Sequence, residues 1–149
     1  MKSNVVQHQT DISADIKLSE GIITLCQRGD EFYTRAISLV DDYNLQRILR
    51  VQSSVYKRLL IRLSLPQDYP STGNITNQQV NPYAQVETLL EQHVISVAIA
   101  ALIEIEQQVL TQLKRAVKQA HHPHLTCQLA EGTAWLQISC DAMQSLHNP

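Results

Sequence analysis

The sequence predicts an all-α protein, a four-helix up-down bundle with a long crossover between its second and third helices. Three observations predict it. Apolar residues recur at spacings of three and four along most of the 149-residue chain, the signature of amphipathic helices. Leu, Ile, Val, Ala and Gln are plentiful, whereas there are only four Gly and one Phe, a composition that favours helix. The breaks between periodic stretches are one very short turn, one long polar loop and one His-His-Pro step.

Residues 1–12 are polar and aperiodic and are expected to form a flexible N-terminal tail. Residues 13–149 then make one domain. The first helix is expected from about Ser13 to Val40, with Leu18, Ile22, Leu25, Cys26, Phe32, Tyr33, Ala36, Ile37 and Val40 as its stripe. Asp41 is the expected N-cap of the next helix, and so short a turn makes the two helices antiparallel neighbours. The second helix is expected from Asp42 to Leu65, buried along Leu45, Ile48, Leu49, Gln52, Val55, Tyr56, Leu59 and Leu63, with Pro66 as its stop. Residues 66–81 are rich in Pro, Asn, Gln, Ser and Gly and read as a loop. Fully extended, a loop of that length reaches about 50 Å, enough to cross the length of a bundle. Asn81-Pro82 places a cap and then a proline at a helix start. The third helix is expected to run unbroken to Ala120, with Lys114, Arg115 and Lys118 complementing its dipole. His121-His122-Pro123 ends it. The fourth helix carries Leu125, Leu129, Trp135, Leu136, Met143 and Leu146, with Gly132 allowing a close approach and Trp135 expected inside.

A net charge of −2 provides no global field for nucleic acid or an anionic membrane. The longest apolar stretch, Val94–Ile103, is interrupted by Ser96 and is too short to span a bilayer. The N-terminal residues have no apolar signal core, so a cytoplasmic location is expected. Cys26, Cys127 and Cys140 lie in no Cys-x-x-Cys pair and read as buried free thiols.

The first hairpin, GDEFYTRAISLVDDYNLQRIL, sets acidic residues and then aromatics before a short acidic turn. In this it resembles a bacterial family of ferritin-like four-helix bundle proteins of unknown function, by pattern over about Ile22 to Leu146. The resemblance implies the ferritin-like topology of hairpin, crossover, hairpin. It also raises the ferritin-like alternative, a metal-binding protein or di-metal oxidoreductase with inward carboxylates and histidines.

The residues depart from that alternative. A di-metal centre in such a bundle takes Glu and His projecting inward, with Glu-x-x-His on two helices. Here the residue three places after each Glu is Ile23, Thr34, Leu90, Val94, Gln107, Val109 or Ala134, never His. Only Glu87 and Glu91 fall near a seam, and they read as boundary acids paired with Arg or Lys. His121, His122 and His124 crowd one turn, where imidazoles could catch a metal, but no acid or Cys beside them in the sequence completes a geometry. Gly-x-Ser-x-Gly and phosphate-loop patterns are absent. No catalytic residue, metal or cofactor is therefore expected.

Two surfaces suggest partners. Arg47, Arg50, Lys57, Arg58 and Arg62 lie opposite the second helix's apolar stripe with no acid among them. They read as a solvated face partly neutralised by the first helix, with a nucleic-acid ridge the lesser reading. On the third helix, Leu90, Val94, Val97, Ala98, Ala101, Ile105 and Val109 form the expected core stripe, and Ile95, Ile99, Leu102 and Ile103 point elsewhere. A helix apolar on two sides is covered on both, so these four predict a homodimer interface, with the crossover loop folded over them as the alternative cover. The reading that results is a non-enzymatic oligomeric interaction or stress-associated protein, with a protein partner expected, nucleic acid not expected and no membrane association.

Overall fold

In a computed structural model the described residues are 2–63 and 81–147, with side chains from Gln9 onward. They form five α-helices and a 3-10 turn, and no strand occurs among them. No described helix is long and apolar enough to cross a membrane.

Helix α1 spans Lys2–Ala36, so it takes in residues expected to be a tail. No Gly or Pro lies in that stretch, and nothing local stops the helix from extending backwards. The 3-10 turn Ile37–Leu39 closes it. The cap of α2 (Tyr43–Arg62) is Asp42 rather than Asp41: its carboxylate accepts the Leu45 N–H at 2.9 Å. Gln46 Nε2 donates to the Val40 carbonyl at 2.6 Å and ties the turn to α2. The end of the second helix expected at Leu65, and the loop over 66–80, lie outside the described residues.

The expected single third helix is two. Helix α3 covers Tyr83–Glu91 and α4 covers Ile95–Gln119. Asn81 Oδ1 accepts the Tyr83 N–H at 3.1 Å, so the start falls where Asn81-Pro82 placed it. At the break, His93 adopts φ 59°. The Val94 N–H reaches the Leu89 carbonyl and the His93 N–H reaches the Leu90 carbonyl. This is the Schellman closure, normally built on Gly at the left-handed position. Histidine holds it here, so no glycine signalled the break.

The break resets the helix phase. Ala98, Ile99, Leu102, Glu106, Val109, Leu110, Leu113 and Ala116 face the core of α4, while Val97, expected in the stripe, is 54% exposed. Ile99 and Leu102, expected on a free outer face, are buried, and Ile95 and Ile103 pack half-buried against the same core. The four residues assigned to a dimer interface thus already bury apolar surface within one chain.

Helix α5 spans Pro123–His147 and buries Leu129, Gly132, Leu136, Ser139, Cys140 and Met143. Trp135 is only half-buried, contrary to expectation, and the Arg58 guanidinium stacks 4.0 Å over its ring. Side-chain pairs fix the helix directions. Asp30 with Lys57 sets α1 against α2, and Arg62 with Glu131 sets α2 against α5. Tyr33 with Glu106, and Asp15 with the N–H groups of His121 and His122, set α1 against α4. Helices α2 and α4 therefore run the same way, with α3 between them in sequence.

Gly132 lies against Leu59, and a Cβ there would sit 2.0 Å from Leu59 Cδ2 and 3.2 Å from its Cγ. Leu59 is itself wholly enclosed, so it has little room to yield. A Gly132→Ala variant is expected to lose about 1–3 kcal/mol of stability, the usual cost of overpacking a core. Chemical denaturation of parent and variant measures it, and equal midpoints would show that α2 and α5 do not approach this closely.

Candidate functional site: a tyrosine-bound glutamate in the core

Glu106 lies on the buried side of α4, one turn beyond Leu102, and is completely enclosed. A carboxylate taken out of water needs partners for its oxygens. Here the partners are three phenols from three other helices. The Tyr33 hydroxyl on α1 and the Tyr83 hydroxyl on α3 each donate to Oε1 at 2.8 Å. The Tyr56 hydroxyl on α2 bonds to Oε2, and its oxygen lies 3.3 Å from that of Tyr83.

Packing holds the phenols in place. Tyr83 stacks on Phe32 with centroids 4.8 Å apart, and Tyr33 stacks on Tyr56 at 6.0 Å. Gly29 admits the Tyr56 ring, which would lie 2.7–2.9 Å from a Cβ at that position. Burial raises the Glu106 pKa, and the hydroxyls of Tyr56, Tyr83 and Tyr33 oppose the rise. Burial first, and the Glu106 carboxylate second, push all three phenols well above their ordinary value of 10.0.

Three more side chains complete the surroundings. The thiols of Cys26 and Cys140 are pushed up to about 12, by burial first and by Glu106 second. Gln52 is completely enclosed and favours the charged forms of Glu106 and Cys140, yet neither amide atom has a partner at hydrogen-bonding geometry.

The candidates drawn from sequence fall elsewhere. Glu87 pairs with Arg35 at 3.3 Å near the surface, as a boundary acid should, and Glu91 is exposed. In the histidine turn, His122 Nδ1 accepts the His124 N–H at 3.1 Å. His121 Nδ1 lies 3.7 Å from Asp11. Of the α2 cations, Lys57 pairs with Asp30 and Arg62 with Glu131, both at 2.7 Å, and Arg58 covers Trp135. Arg47 and Arg50 remain exposed.

Glu106 is hidden in the sequence because the break at His93 shifts the phase of α4 away from the one that starts at Val94. Phased from Ala98 instead, Glu106 falls on the stripe between Leu102 and Leu110.

No three His, Cys, Asp or Glu side chains gather to hold a metal ion among the described residues. The core supplies one carboxylate, with both oxygens engaged, and two thiols that stay protonated below about pH 12. That donor set does not fit the pair of ions for which a ferritin-like centre is built. Comparison with protein-family models, with curated proteins and with solved structures finds no match.

The thiols give a direct check. Cys26 and Cys140 are buried as expected, whereas Cys127, expected buried with them, lies on the solvent side of α5 and is exposed. Since the thiolate is the nucleophile, an alkylating reagent at neutral pH is expected to modify Cys127 alone in the folded protein and all three thiols in denaturant. Mass spectrometry of the native reaction would refute the enclosed core if Cys26 or Cys140 were modified at a rate comparable to Cys127.

Proposed function

We propose that this protein is a non-enzymatic, ferritin-like four-helix bundle that works as an oligomeric interaction module, with a polar network in place of a metal centre. The helix directions support the topology: α1 and α2 form one antiparallel pair, α4 and α5 the other, and the parallel run of α2 and α4 calls for a crossover. Helix α3 belongs to that crossover. The observation that carries the reading is the state of Glu106. Its oxygens are engaged by tyrosines and its surroundings are closed, so it offers a substrate no access and an ion no open position.

Chemistry reachable from solvent is left to the surface. Ile61 is 75% exposed and lines a groove with Arg58, Arg62, Glu131 and Trp135. Ile138, one turn on from Trp135, is 70% exposed. Exposed apolar residues next to an indole are the kind of surface that associates. We assign self-association to this seam between α2 and α5 rather than to α4.

The competing reading is a ferritin-like metal-binding protein or di-metal oxidoreductase. What favours it is the central place of Glu106, where α1, α2 and α4 meet. Two measurements on untagged protein decide. Elemental analysis after growth with added iron and manganese is expected to find neither metal at stoichiometric level, and a stoichiometric amount of either would establish the competing reading. Light scattering behind size exclusion is expected to show a dimer or larger in the parent and a monomer in Ile138→Glu, with unchanged helical circular dichroism. A parent that runs as a monomer at high concentration would overturn the oligomeric part.

A further inference from the structure

The oxygens around Glu106 can be counted against the protons available to them. Four close oxygen–oxygen contacts join the cluster: Tyr33 to Oε1, Tyr83 to Oε1, Tyr56 to Oε2, and Tyr56 to Tyr83. Each hydrogen bond consumes one proton, and each tyrosine carries one. Three phenols therefore supply three protons for four contacts. If Glu106 is ionised and both Tyr56 and Tyr83 donate to it, their two oxygens face each other at 3.3 Å with no proton between them.

A fourth proton on Glu106 removes the deficit. Oε2–H then donates to Tyr56, Tyr56 donates to Tyr83, and Tyr83 donates back to Oε1, with Tyr33 donating to Oε1 from the side. The result is a closed ring of donors through one carboxyl group. We propose that Glu106 is a neutral carboxylic acid in the folded protein at neutral pH, and that its proton closes a hydrogen-bonded ring that fastens α3 to α2 and α4 through Tyr83.

The surroundings agree. Facing the carboxyl group are Cys26 and Tyr33 from α1, Gln52 and Tyr56 from α2, Tyr83 from α3 and Cys140 from α5. Farther out, Asp141 acts on Cys140 with the same sign as Glu106. No lysine, arginine or histidine is among the buried residues described. A carboxylate there would have no opposite charge, and a group so placed takes a proton instead. Helix α3 is the element most exposed to loss of the ring, because it is only nine residues long and ends at the left-handed His93.

The pH dependence has a defined sign. With the Glu106 pKa raised above its ordinary 4.5, the folded state holds a proton that the unfolded chain releases. Its contribution to stability is complete below 4.5, declines as pH rises, and is spent once pH passes the raised value. The thiols and phenols begin to act in the same direction only near their ordinary values of 9.0 and 10.0. A decline that starts near 4.5, well below the ordinary histidine value of about 6.5, therefore belongs to Glu106 or an equivalent buried acid.

Glu106→Gln separates these. An amide NH2 donates to Tyr56 as the acid does, the amide oxygen accepts from Tyr33 and Tyr83, and nothing titrates. The variant is expected to keep the parent's stability at low pH and to lack its decline, which in the parent approaches about tenfold in the folding equilibrium constant per pH unit. In the parent, infrared spectra with labelled glutamate are expected to show an un-ionised carboxyl band at neutral pH that Glu106→Gln lacks. Hydrogen exchange is expected to lose protection in α3 before α5 as that band disappears. A Tyr83→Phe variant opens the ring without touching the acid and is expected to lose α3 protection at every pH. A parent whose stability is flat or rises above pH 4.5, a neutral-pH spectrum with no un-ionised band, or a Glu106→Gln variant that keeps the parental slope would each overturn the proposal. Should Glu106→Gln not fold, the infrared band of the parent decides by itself.

Discussion

The hydrogen bonding of one carboxyl group, Glu106, constrains the middle of this protein. An enclosed acid must have its oxygens engaged, because a buried polar group without partners costs more than a typical hydrogen bond returns. Its partners come from α1, α2 and α3, separated from Glu106 by 73, 50 and 23 residues. Each phenol can reach the acid only if its own helix is at the right height and rotation. Apolar packing among leucines tolerates small slips, whereas a shared hydrogen-bonded group does not. The network therefore sets the register of four helices at once, the role best attested for buried polar groups.

The aromatic residues near the acid serve two ends. Their rings exclude water and stack on one another, while their hydroxyls satisfy the oxygens they enclose. Phe32 contributes only the first, as the surface against which Tyr83 lies flat. Gly29 makes room for Tyr56 at a position where any side chain would push the ring off its acceptor. The unpartnered amide of Gln52 is the exception in this otherwise satisfied cluster, and no physical reason for it emerges from its neighbours.

About five turns before Tyr33 on α1, a second carboxylate performs a related task. Asp15 accepts the backbone N–H groups of His121 and His122, each at 2.9 Å, so the turn between α4 and α5 is capped by a residue more than a hundred positions away. Helix α1 is thus tied to α4 at two levels, once by tyrosine and glutamate and once by aspartate and backbone. Both ties use the same principle, a buried or nearly buried acid that accepts donors from another element.

The amino-acid pattern by itself determined the helical class, the short turn between α1 and α2, the helix start at Asn81-Pro82 and the close approach at Gly132. Each of these rests on local chemistry: periodic apolar residues, a capping side chain, a proline that fits only the first turn, a missing Cβ. The break at His93 was illegible because its closing residue lacks the glycine that usually marks the motif. From that one hidden turn followed the wrong phase of α4, the misplacement of Ile99 and Leu102, and the oversight of Glu106. The half-exposed Trp135 was likewise decided by neighbours and not by propensity, whereas the extended start of α1 follows from a stretch with no Gly or Pro to stop the helix. Only the tertiary structure could bring together an acid and three phenols from four helices, because a hydrogen-bonded cluster across such distances leaves no spacing in the chain to be read.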